Sequence, residues 1–212
     1  MENFWEVLKT RRSIRKFKPI QIPDEDIRKI IEAATLAPSG GNRQNWHFII
    51  VKSRDLINKM KDAVQGIVDE PASRMESPTA KQEFLNYSNY FTIFGQAPVV
   101  IAIVMKPYDS MTVRLLNRYF KKGEYQTTAG IQGVCAATEN LLLAAHALGY
   151  GGCWMTGPLI AKEKLESQLG INLPDELIAL IPIGVPDEAP KMPPRKEITE
   201  VVTFLSADRQ DK

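Results

Sequence analysis

Two short segments near the start of the chain hold the residues best suited to chemistry. Arg11-Arg12-Ser13-Ile14-Arg15 follows one short amphipathic pattern, and Ala37-Pro38-Ser39-Gly40-Gly41-Asn42-Arg43-Gln44-Asn45-Trp46 follows another. Alternate residues of an extended segment share one side, so Arg11, Ser13 and Arg15 can converge on a single anion, with Arg12 in the same basic cluster. Guanidinium groups hold phosphate oxygens bidentately, and a hydroxyl adds a neutral donor. In the second segment Pro38 and Ser39 lead into Gly40 and Gly41, which permit close backbone approach, while Asn42 and Gln44 both donate and accept. Each segment also has a plain structural explanation. A basic turn complements a helix C-terminus, and a helix-to-strand connection needs glycines, though not the Asn-x-Gln spacing.

Two later stretches add to these. Pro193-Pro194-Arg195-Lys196 is a basic pair on a stiff approach, able to close an anion pocket from the far side; alone, it is a solvated surface pair. Trp154-Met155-Thr156-Gly157-Pro158 ends a predicted strand in a turn whose backbone N–H groups, at Thr156 and Gly157, can face the electron-accepting edge of a flat heterocycle. A phosphate cradle combined with a donor–acceptor edge suits flavin mononucleotide (FMN). Gly149-Tyr150-Gly151-Gly152 precedes a strand instead of following one, so it is not a dinucleotide fingerprint.

Other chemistries lack parts. There is no Walker-type glycine–lysine loop and no Gly-x-Ser-x-Gly elbow. His47 and His146 are the only histidines, which leaves little for a metal centre or a Ser-His triad. His47 reads as a partly buried packing residue and His146 as a helix-face residue. A chain without an evident acid, base or nucleophile can still be an enzyme if a cofactor carries the reaction.

The elements that must position these residues follow from periodicity. Phe4, Val7 and Leu8 predict a helix from Asn3 to about Thr10. Asp24, Glu25 and Asp26 open a second, with Ile27, Ile30, Ile31 and Ala34 at helical spacing and Pro38 as its stop. Trp46–Val51 reads as a strand, Leu56–Val68 as an amphipathic helix, Lys81–Phe94 as helical, and Pro98–Met105 as a buried strand. Pro107–Gln126 reads as a mobile or inserted segment with no assigned element. Ala129–Leu148 is a helix apolar most of the way round and stopped by Gly149, which predicts burial on several sides, partly against a second subunit. Gly151–Thr156, Ile178–Val185 and Ile198–Leu205 read as strands, with Pro182 placing the second of these at an edge or bulge.

Helices and strands mix without βαβ alternation, so the class is α+β. A chain of 212 residues, 44% hydrophobic and 25% charged, forms one domain over 1–212. A net charge of +2 is too small to argue for nucleic acid or an anionic membrane as partner, and neither is expected. Cys135 and Cys153 read as buried reduced thiols. With no signal peptide and no apolar span, the expected location is cytoplasmic.

These segments resemble the nitroreductase family of FMN-dependent oxidoreductases, from Trp5 to about Phe204. The likeness is carried by Arg11–Phe17, Ala37–Trp46, Glu139-Asn140-Leu141-Leu142-Leu143-Ala144-Ala145, Gly149-x-Gly151-x-Cys153-Trp154, and Pro194-Arg195. Asn45 stands where the family usually has proline, which predicts a more flexible loop. The resemblance implies a mixed, mainly antiparallel central sheet flanked by helices, in an intertwined homodimer whose C-terminal strands exchange. It implies FMN at each of two interface sites, held by Arg11, Arg12, Ser13, Arg15, Arg195 and Lys196. Pro38, Ser39, Gly40, Asn42 and Gln44 would come from the neighbouring subunit, with Thr156 and Gly157 near flavin N5. The implied activity is ping-pong transfer of reducing equivalents from NADH or NADPH to nitroaromatics, quinones or similar small electron-poor acceptors, with no catalytic side chain and no metal. The alternatives are a flavin-binding or sensory protein without turnover, or a reductive dehalogenase or flavin-degrading enzyme of the same fold.

Overall fold

A computed structural model describes residues 2–120 and 126–205. Its centre is a four-stranded antiparallel sheet in the order β1-β2-β4-β3, formed by β1 (Trp46–Val51), β2 (Val99–Met105), β3 (Gly151–Gly152) and β4 (Glu176–Gly184). The continuous apolar run of β2 is explained by burial on both faces. Val99, Ile101 and Ile103 point with Ala179, Ile181 and Ile183 into one core, against α2 (Asp24–Thr35) and α6 (Ala129–Ala147). Val100, Ala102 and Val104 point with Leu177 and Leu180 into the other, against α3 (Arg54–Arg74) and α7 (Lys162–Leu169). A bulge at Ile103/Val104 skips Ile178, so that Val104 stands opposite Leu177 and the two share the second core.

α6 packs on α2 and on the sheet, burying Val134, Ala137, Leu141 and Ala145. Ile131, Ala136, Leu143 and Ala144 on its other faces are only half-buried within one chain. α1 (Glu2–Thr10) runs beside it and leaves Phe4 and Trp5 exposed.

Several expectations are corrected. α3 extends to Arg74, through Pro71, because Val68 and Ala72 continue its buried stripe. The helix predicted over Lys81–Phe94 is α4 (Pro78–Ser88), followed by two short 3-10 turns at Asn89–Phe91 and Ile93–Gln96. Ser77 caps it by accepting from the Ala80 N–H at 3.3 Å. The segment left without an element contains α5 (Met111–Phe120), while 121–125 lie outside the described residues. β4 is interior, not an edge; Pro182 is tolerated because its missing N–H faces the short strand β3, where Cys153 donates to the Pro182 carbonyl at 3.3 Å.

The strand predicted over Gly151–Thr156 shrinks to β3 plus one bridge at Met155–Leu180. The terminal strand at Ile198–Leu205 is absent. Glu197 and Glu200 form a reciprocal capping box that starts α8 (Ile198–Val201), and residues 202–205 pair with no strand among the described residues. His47 is exposed and Cys135 only half-buried.

Candidate functional site

α1 ends by delivering Arg11 N–H to the Val7 carbonyl at 3.0 Å, and the chain then extends along the sheet edge. Ser13 bridges Gly152 in parallel, and Ile14 N–H donates to the Gly152 carbonyl at 3.0 Å. That short pairing enforces the alternation read from sequence. Ile14 is buried, while Arg11, Ser13 and Arg15 line a cavity of ≈ 360 Å³. Pro190–Pro193 brings Arg195 to the same cavity from the opposite end of the chain, together with Lys191. Lys196 does not line it.

Arg11, Arg12, Arg15, Lys191 and Arg195 thus surround one space with no carboxylate in its lining. On a chain whose net charge is only +2, that is a strong local concentration of positive charge. The guanidinium groups are not equally free. Arg12 donates to the carbonyls of Lys9 and Arg11, at 2.8 and 2.6 Å, and so satisfies the end of α1. Arg11 leans on Glu139 at 3.5 Å, a half-exposed pair. Arg195 makes only a 3.4 Å contact to the Pro193 carbonyl. Glu188, which the sequence reading did not single out, anchors the strap by accepting from the N–H groups of Arg15 and Lys16. Its distance along the chain hid it.

Arg15 also lines a second cavity of ≈ 330 Å³, bounded by Cys153–Gly157 on one side and by Tyr87, Tyr90, Phe91 and Ile93 on the other. Its guanidinium lies 5.8 Å from the Tyr90 ring centroid, a cation–π distance. Tyr87 meets Phe91 edge-on at 5.6 Å. Gly157 is required here by space, since a Cβ would sit 2.4 Å from the Phe91 ring. The aromatic wall was legible only as an unusual mixture of aromatic and polar residues between 81 and 94. Burial pushes the Cys153 thiol up, with Arg15 and a Ser13 hydrogen bond partly offsetting it. The thiol is therefore protonated at neutral pH and is a wall, not a nucleophile.

The Pro38–Gln44 loop does not line either cavity of its own chain. It forms a 3-10 turn at Gly40–Asn42 seated on α6, with Ser39 against Gly133. The Ser39 hydroxyl accepts from the Gln44 N–H at 3.0 Å, and the Gln44 amide donates to the Asn42 side chain at 3.1 Å. Pro38, Asn42 and Gln44 are exposed, while Ser39 and Gly40 are half-buried. Asn45 is not a point of flexibility. It is 4% exposed, and its amide donates to the carbonyls of Lys106 and Gly130 at 3.2 and 3.4 Å.

Among the described residues no helix is long and apolar enough to cross a membrane, and no group of three or more His, Cys, Asp or Glu could hold a metal ion.

Comparisons with known proteins agree with this architecture. The model of the nitroreductase family matches residues 8–185. A protein of Archaeoglobus fulgidus, assigned by name to the NADH dehydrogenase/NAD(P)H nitroreductases, is 31% identical over 191 residues, covering 89% of this chain and 88% of its own. A BluB-like flavoprotein from Clostridium difficile 630 is 32% identical with a TM-score of 0.83, over 95% of this chain and 98% of that one. Iodotyrosine deiodinase with FMN and 3-iodo-L-tyrosine bound shares the fold at a TM-score of 0.72 and 22% identity, over 96% and 99% of the two chains. The chain belongs to the nitroreductase family and is an enzyme of the oxidoreductase class.

Proposed function

We propose that the enzyme binds FMN and passes reducing equivalents from NADH or NADPH to a small electron-poor acceptor. The observation that carries this reading is the convergence of Arg11, Ser13, Arg15 and Arg195 on one cavity that shares Arg15 with a second, aromatic-walled one. A cluster of guanidinium groups and a hydroxyl fits a phosphate dianion. The adjoining space, floored by backbone and walled by rings, fits a planar heterocycle. FMN, when bound, supplies the hydride-accepting centre through which NAD(P)H and an acceptor such as a nitroaromatic or quinone react in ping-pong order.

The chain's own residues supply binding and electrostatics. Arg11 and Arg195 neutralise the phosphate, with Arg12 held back at the end of α1. Arg15 stands where the two cavities meet, so its charge supports negative charge that develops on the ring. The N–H groups at Thr156 and Gly157 offer hydrogen bonds to the reacting edge. Protons would come from water or from the flavin itself.

The same reading includes a homodimer in which Pro38, Ser39, Gly40, Asn42 and Gln44 serve the neighbouring subunit's flavin. Three features support it. The loop is built but faces neither cavity of its own chain. An apolar groove of ≈ 530 Å³, lined by Phe4, Val7, Leu36 and Leu143, is open beside α6. Phe204 and Leu205 are 82% and 85% exposed, and lie along no strand among the described residues. Exposed apolar surface of this kind marks an interface. An exchanged C-terminal segment would cover the partner's surface.

The deciding experiment is a visible spectrum of the purified protein, then anaerobic titration with each nucleotide and reoxidation by a nitroarene or quinone. Bleaching by NADH or NADPH, with colour restored by the acceptor, is expected. Flavin that neither nucleotide reduces would favour a binding or sensory role without turnover.

A further inference from the structure

Gly40 and Gly130 are required for a different reason from Gly41. Gly41 has a left-handed backbone with φ 58°, whereas neither of the other two has a positive φ. Both are instead occupied from outside by one side chain, Tyr108, from the linker between β2 and α5. A Cβ on Gly40 would sit 2.3 Å from the Tyr108 hydroxyl oxygen and 3.0 Å from Cζ. A Cβ on Gly130 would sit 2.6 Å from the Tyr108 Cβ. The tyrosine is therefore wedged between the loop and the first turn of α6.

Asn45 ties the same three segments together. Its side-chain amide reaches the Lys106 and Gly130 carbonyls, and its backbone carbonyl accepts from the Lys106 N–H at 2.8 Å. What this wedge supports is costly to hold. Asn42 and Gln44 are the non-glycine residues with positive φ among those described, at 52° and 48°. Side chains adopt that region only where their surroundings over-determine it.

We infer that Tyr108 is a positioning residue for the cofactor loop: its ring holds Gly40 against α6, and so keeps Asn42 and Gln44 in the left-handed conformations that direct their amides. This inference rests on the flavin reading above, and the test separates the two.

FMN dissociation constants, the visible circular dichroism of bound flavin, and cofactor-free unfolding midpoints are measured for wild type, Gly40→Ala, Tyr108→Leu, Tyr108→Phe and the Gly40→Ala/Tyr108→Leu double variant. Overpacking at Gly40 and loss of the ring should each weaken FMN roughly tenfold. The double variant should be no weaker than Tyr108→Leu, because the added methyl then meets no ring. Tyr108→Phe, which keeps the ring, should restore both affinity and the dichroism band. Additive losses, or affinity and dichroism that stay at wild-type values while only the unfolding midpoint falls, would overturn the positioning role. Wild-type protein that takes up no FMN would sink the proposed function along with it. Should Gly40→Ala yield no soluble protein, the contrast between Tyr108→Leu and Tyr108→Phe decides alone: equal affinities overturn the inference.

Discussion

The cationic strap and the Pro38–Gln44 loop make an instructive contrast. Both hold residues suited to one ligand, yet within this chain only the first gathers them round a cavity. Arg11, Ser13 and Arg15 meet Arg195 across almost the whole length of the polypeptide, on a segment pinned by Gly152 and Glu188. The loop is held as firmly, by Ser39, Asn45 and close packing on α6, but it lines neither cavity. A conformation that is built yet faces away from its own site is an argument for a second copy. Rigidity and completeness are separate properties of a site.

The contrast can be broken at several points. The largest effect is expected from Arg11→Ala, which should cost FMN affinity about 1.5–3 kcal/mol by loss of a charge-assisted contact. Flavin fluorescence titration reads this directly, and an unchanged dissociation constant would remove Arg11 from the site. Ser39→Ala removes the acceptor for the Gln44 N–H, a loss of about 1 kcal/mol. If the loop serves the partner, mixed dimers altered in one chain should bind tightly at one site and weakly at the other. A uniform weakening of both sites would assign the loop to its own chain.

A smaller change tests the junction of the two cavities. Tyr90→Leu removes the ring beneath Arg15 and should weaken flavin or acceptor binding by about 0.5–1 kcal/mol. Steady-state KM with kcat unchanged would show the loss to be one of positioning. An unaltered KM would mean that the ring and the guanidinium are merely neighbours.

The smallest effect is in pH dependence. The Thr10 hydroxyl donates to the Glu6 carbonyl at 2.7 Å, so it accepts from His146 Nε2, 2.7 Å away. Burial first, then the charges of Arg11 and Arg12, hold His146 below its ordinary value of 6.5. The unfolded chain therefore takes up a proton before the folded one does. The stability linked to neutral His146 is present above about pH 6.5 and is lost as pH falls through the lowered folded value. A thermal midpoint that declines below that pH in wild type, with a shallower decline in His146→Gln, is expected. Identical profiles would remove the linkage.

Much of this was readable along the chain because it is local. The spacing of Ile27, Ile30 and Ala34 specifies the buried stripe of α2, and the unbroken apolar run of β2 announces a strand covered on both faces. Failures fell where pairing or packing decides. Ile198–Leu205 has β-branched residues but no partner strand among the described residues, and the local capping box at Glu197 prevails. Asn45, in place of proline, predicts a more flexible loop, yet two distant carbonyls make it a buried clamp.

The residue types alone pointed to a phosphate and a polar flat ring as ligand, because guanidinium, hydroxyl and amide chemistry does not depend on fold. They also set the period of each helix and strand, which is a local property. Tertiary structure decided which of those groups share a cavity. It set Glu188 and Tyr90 beside Arg15, left Lys196 outside, and turned the Ser39 loop away from both cavities. Such choices depend on contacts between segments far apart in the chain, where loop closure and packing, not neighbouring residues, determine the outcome.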